Sequence, residues 1–157
     1  QAPAGSDAGP STVRGTILIA SSIAAVLFDT GASVSFISSH LVNLLSLPTE
    51  LLSVAMELVT PLGKKKEQGL RCPSRTIFVS GVEMEWYFLV LDMDLFDVIL
   101  GMDWLVRFKA HIDCYRCRVS FMAPDESPQL FHGEWDPRSG RVGPPLLDLG
   151  NLAYQLS

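Results

Sequence analysis

Asp29, Thr30 and Gly31 directly follow the apolar run AAVLF at residues 24–28, and a carboxylate at the end of a run that must be buried calls for a reason. Moving an ionised carboxylate out of water is costly, so such a group is paired, hydrogen-bonded or shifted in its protonation. A carboxylate whose surroundings set its protonation is equipped for general acid–base chemistry. Taken alone, the triplet reads equally well as a turn, because Asp, Thr and Gly are all common where a strand ends.

The cysteines offer a second chemistry. Cys114 and Cys117 form a C-x-x-C that could be half of a zinc knuckle. The other half is missing, since Cys72 stands alone and His40, His111 and His132 fall at no completing spacing. Only Tyr115 and Arg116 lie between the pair, so a hairpin turn joining two strands is the favoured reading and no metal is expected. Three cysteines also argue against a disulfide scaffold.

A chain of 157 residues is one domain with tails, long enough for a real core but not for two lobes. At 48% hydrophobic and 18% charged residues it is globular on average. The net charge of −5 and the short basic run at 64–66 exclude a polyanion footprint, so no nucleic acid is expected. The apolar segment 16–28 is too short to span a bilayer as a helix and carries Ser21 and Ser22 in its middle, so no membrane is expected. The first twelve residues show neither a basic start nor an apolar run, and the protein is read as intracellular.

Residues 1–12 form a Pro, Gly, Ala and Ser tract, and 123–157 a Pro- and Gly-rich extension; both read as linkers around a domain at 13–122. Between them, short β-branched and aromatic runs predict strands: RGTILIA, AAVLFD, SVAMELVT, RTIFVS, MEWYFLVLD, DVIL, AHIDC and RVSFM. Turn signals at Ser21-Ser22, Pro61-Leu62-Gly63 and Ser80-Gly81 separate them. Ser38 or Ser39 can cap a short helix through Leu45, and residues 102–108 predict a second. Many short strands with so little helix point to a mainly β fold, a small closed or nearly closed β-barrel with one or two short helices.

Residues 97–105 read DVILGMDWL, an apolar strand, a glycine at a close backbone approach, and a helix start. Together with VLFDTGAS at 26–33, this resembles the retropepsin-like aspartic proteases, and most of all the protease region of gypsy-class LTR retrotransposon polyproteins of plants. Gly15-Thr16, residues 26–33, 35–38, 96–105 and 112–114 carry the resemblance, which spans about 13–122 in order. Val34 departs from it, as does the stretch after about Glu134.

The resemblance implies that Asp29 is the catalytic aspartate, that Thr30 holds the loop through its hydroxyl, and that Gly31 leaves room beside the substrate. It implies that Ala32 and Ser33 complete the loop and that Ile99, Leu100 and Gly101 pass beneath and support it. Thr60, Pro61, Leu62 and Gly63 match the tip of the flap that closes over substrate, without the glycine-rich tip of viral relatives. Hydrolysis on this plan needs two carboxylates sharing one proton, one activating water and the other protonating the carbonyl oxygen. No other aspartate here is followed by Thr-Gly or Ser-Gly, so the second must come from another copy.

The expected assembly is therefore a twofold homodimer with Asp29 of each subunit at its axis. The expected activity is an aspartic endopeptidase, without cofactor, acting on an extended peptide such as the element's own polyprotein. Asp103 reads as an ordinary helix-start carboxylate, Trp86, Trp104 and Phe108 as core, and His40 as exposed. The competing class is a retropepsin-like dimerisation or peptide-binding module that does not cut; a folded monomer without activity is a third.

Overall fold

The computed structural model describes residues 11–60 and 63–135. Two antiparallel hairpins anchor the fold. β1 (Thr12–Ile19) turns into β2 (Ser22–Asp29) through Ala20 and Ser21, whose φ values of 49° and 65° match a two-residue primed turn. β5 (Gly63–Val79) turns into β6 (Val82–Leu91) the same way, through Ser80 at φ 53° and Gly81 at φ 77°. Such turns carry the right-handed twist that a closing sheet requires.

The remaining elements are β3 (Phe36–Ser38), α1 (Ser39–Leu44), β4 (Glu50–Thr60), β7 (Val98–Leu100), α2 (Met102–Arg107), β8 (His111–Asp113), β9 (Arg118–Met122) and β10 (Pro128–His132). The main sheet runs β1-β2-β7-β3-β6-β5-β4, and pairing of β1 with β5 closes six of these strands into a barrel with β4 outside. The fold is mainly β, a small closed barrel with two short helices, as the strand and turn pattern predicted. A second sheet, β10-β9-β8, packs alongside.

Alternation fills the core. Val13, Ile17 and Ile19 of β1 and Ala24, Val26 and Phe28 of β2 are buried while their neighbours are not. Both helices fall where the sequence placed them: the Ser38 hydroxyl accepts the Leu41 N–H, and α2 starts after Gly101. Trp104 and Phe108 are core, Trp86 packs against them, and His40 is exposed.

Four differences from the sequence reading stand out. β3 has only three residues, too few for a periodic signal, and is held by β6 and β7 on either side. The charged stretch from Gly63 onward is part of β5, where pairing with β4, including the Lys64–Glu57 ion pair at 3.7 Å, overrides its polar composition.

The ordered fold also outlasts residue 122. β10 adds to β9, Phe131 is buried, and the Gly133 and Glu134 amides donate to the carbonyls of Cys117 at 2.6 Å and Arg14 at 2.7 Å. A Cβ on Gly133 would come within 2.4 Å of the Val13 side chain, so glycine is required for this approach. At the other end, Ser11 and Thr12, read as linker, already make backbone contacts with the barrel.

Candidate active site

β7 lies between β2 and β3, parallel to the first and antiparallel to the second. Residues 30–35, which join β2 to β3, must therefore cross the C-terminal end of β7. Gly101 occupies that crossing. A Cβ there would lie 2.4 Å from the Val34 carbonyl oxygen and 2.6 Å from that of Ala32, so only glycine fits.

The loop is pinned to the start of α2 by three amides. Met102 N–H donates to the Ala32 carbonyl at 2.7 Å, Asp103 N–H to that of Ser33 at 3.3 Å, and Gly101 N–H to the Ser35 hydroxyl at 3.1 Å. The buried Ser35 hydroxyl donates in turn to Asp103 Oδ1 at 2.6 Å, and the Ser35 N–H donates to Asp103 Oδ2 at 3.2 Å. Asp103 Oδ1 also accepts the Trp104 N–H at 2.7 Å. Asp103 thus does more than sit at a helix start: it ties the far end of the loop to α2.

Asp29 stands at the near end. Strand alternation sends Phe28 into the core and Asp29 out of it, where it is half-buried, while Thr30, Gly31 and Ser33 are exposed. Asp29 Oδ1 accepts the Gly31 N–H at 2.7 Å and its carbonyl accepts the Ala32 N–H at 3.3 Å, a tight turn that aims the carboxylate along the loop. Phe28 holds this end in place, edge-on to Trp104 at 5.5 Å between ring centres and against Phe131 at 4.7 Å.

Thr30 is bound to Ser11 in both directions. Its N–H donates to the Ser11 carbonyl at 3.0 Å, and its hydroxyl accepts the Ser11 N–H at 2.8 Å. Beside it a groove of about 330 Å³ is lined by Ser11, Thr30, Met102, Val106, His111 and Ile112, among others. Met102 is 38% and Val106 67% exposed, so an apolar face adjoins the loop.

Of the residues singled out from the sequence, the fold brings Asp29, Thr30, Gly31, Ala32, Ser33 and Gly101 to one crossing, with Ile99 and Leu100 paired to Leu27 and Phe28 beneath it. Thr60 and Gly63 pair at the end of the β4–β5 hairpin, and Pro61 and Leu62 lie outside the described residues. Sequence reasoning did not single out Ser35 or Ser11, and the Asp97 carboxylate accepts the Ala25 N–H at 2.8 Å. Ser35 lay within the matched stretch, but nothing in its identity marks a buried hydroxyl. Among the described residues, no three His, Cys, Asp or Glu side chains come together as a metal site.

The retroviral aspartyl protease family model matches residues 3–127. The retroviral protease-like domain of Ddi1 from Leishmania major has a similar fold, with a TM-score of 0.50 and 18% identity over 78% of this chain and 95% of that one. The EIAV protease, solved with the inhibitor HBY-793, aligns at a TM-score of 0.47 and 24% identity over 62% of this chain and 88% of that one. No curated protein sequence matches.

Proposed function

This chain belongs to the retroviral aspartyl protease family, and on that premise we propose that it is an aspartic endopeptidase whose active site forms between two copies, each contributing Asp29. One observation carries the reading: the Asp29-Thr30-Gly31 loop is presented outward at the surface while its other side is clamped by Gly101 and α2. A carboxylate held so firmly and left open on one side is arranged to meet a group from outside the chain.

The only carboxylate bonded into the far end of the loop among the described residues, Asp103, is already engaged by Ser35 and Trp104. It is no candidate for the second catalytic group. A second copy related by a twofold axis brings its own Asp29, and the exposed Met102 and Val106 beside Thr30 give that contact an apolar margin.

In the paired site, two carboxylates that close do not both ionise, so they hold one proton between them. The ionised one takes a proton from water as it attacks the scissile carbonyl carbon. The protonated one gives its proton to the carbonyl oxygen. Substrate lies extended beneath the β4–β5 hairpin, bound through main-chain hydrogen bonds with apolar side chains around the cut. The natural target is the polyprotein of the gypsy-class element whose protease region the sequence resembles.

The test is hydrolysis of a peptide pool at mildly acid pH by the purified chain and by Asp29→Ala. Cleavage by the wild type alone supports the proposal. Absence of cleavage by a chain shown to be dimeric turns the reading to a peptide-binding module.

A further inference from the structure

The C-x-x-C turn is used by neither the fold's barrel nor the proposed dyad. Asp113 and Arg118 are register partners, so residues 114–117 close a four-residue turn between β8 and β9. A turn this tight keeps its first and last Cα atoms within about 7 Å, the range over which a disulfide forms. The Cys117 sulfur folds back to 3.7 Å from the Cys114 carbonyl oxygen, which places it over residue 114. Cys114 is partly exposed, and among the described residues its sulfur makes a long S–H contact of 3.7 Å to the Thr12 carbonyl. A thiol is a weak donor, so this contact yields readily to rotation about the Cys114 side chain.

Two contacts of the turn lead elsewhere. Thr12 adjoins Ser11, whose backbone N–H and C=O both bind Thr30. The Cys117 carbonyl accepts the Gly133 N–H that fastens the chain after β10. The turn therefore joins β8, the start of β1 and the C-terminal strand.

We propose that Cys114 and Cys117 are a redox-active dithiol that takes a small disulfide oxidant such as oxidised glutathione, and that closing the bond releases the start of β1 from the turn. The accessible Cys114 thiolate attacks the oxidant's sulfur, forming a mixed disulfide and expelling one reduced glutathione. Cys117, after losing its proton, attacks the Cys114 sulfur and expels the second. Two protein thiols and one glutathione disulfide become one protein disulfide and two glutathione thiols, so atoms and electrons balance. The Cys114 sulfur, now bonded to Cys117, no longer donates to Thr12. Cys72 takes no part, being wholly buried in the barrel.

The chemistry is independent of Asp29, and its readouts are mass and amide exchange, so failure of the peptidase reading is told apart from failure of this one. The full chain is equilibrated in glutathione buffers from reducing to oxidising, quenched in acid, unfolded and digested with trypsin. Cleavage after Arg116 separates the two cysteines. The expected result is a disulfide-linked pair of peptides containing Cys114 and Cys117, abolished by dithiothreitol. Cys117→Ser should instead retain one glutathione on Cys114, and Cys114→Ser should carry none. In the oxidised chain the Thr30 amide should exchange several-fold faster than in the reduced chain. Absence of the linked peptides at every glutathione ratio, a link to Cys72, or unchanged exchange at Thr30 in fully oxidised protein would overturn the proposal.

Discussion

Gly101 lies so close beneath the loop that a Cβ on it would meet the Val34 carbonyl oxygen at 2.4 Å. This contact links the two long motifs of the sequence: the glycine that ends DVILG is the floor on which DTGAS rests. Gly101→Ala should cost about 1–3 kcal/mol through forced displacement of backbone, and peptide hydrolysis should fall further than stability because the displaced atoms belong to the loop. Chemical denaturation and a kcat/KM measurement on the same preparation check both.

The Ser35–Asp103 pair locks the loop's far end. Ser35→Ala leaves the Gly101 N–H without its acceptor and Asp103 without its hydroxyl donor, which should cost about 1–3 kcal/mol. Ser35→Thr keeps the hydroxyl and should restore most of the loss. Thermal unfolding of the two variants reads this directly, and equal losses in both would show that packing rather than the hydroxyl sets the effect.

Phe131 should behave as core, although it lies beyond the last strand the sequence suggested. It packs against Phe28, the residue before Asp29. Phe131→Ala should cost about 3–5 kcal/mol, and a chain ending at residue 122 should unfold at lower denaturant than one ending at 135.

Acid should weaken the fold through its turn carboxylates. The Arg116 backbone N–H holds Asp113 below the usual 3.8, and the Ser127 hydroxyl does the same for Asp125. Hydroxyls of Thr76 and then Ser74 lower Glu85 from 4.5. A carboxylate whose folded value is depressed contributes stability that is complete above its unfolded value and is lost as pH falls through the folded one. Stability should therefore hold down to about pH 4.5 and decline below 3.8. Asp113→Asn should flatten part of that decline in urea titrations across the window.

Cys72 should resist alkylation. Burial pushes its thiol above 9.0, with Arg75 acting weakly in the opposite sense. At pH 8 the native chain should label there only as fast as it opens, and denaturant should raise the rate by orders of magnitude.

Much of this was legible from the residues. Short β-branched and aromatic runs marked the β1, β2 and β6 strands, Ser38 or Ser39 the start of α1, and the Gly in DVILG a close approach that Val34 and Ala32 explain. What escaped depended on contacts between distant segments. β3 exists because β6 and β7 flank it, and β10 because β9 and the aromatic ring of Phe28 receive it. Neither short segment carries enough period to announce itself. The Ser35 hydroxyl and the Asp97 carboxylate act on residues 66 and 72 positions away, a separation that no local pattern encodes.

The most direct measurement of the central claim mixes wild-type chain with Asp29→Asn at fixed total concentration, after allowing subunits to exchange, and follows peptide hydrolysis. If each site needs Asp29 from both copies, activity falls with the square of the wild-type fraction, to about a quarter in an equal mixture. A linear fall, to half in that mixture, would mean that each chain works alone and would contradict the shared dyad.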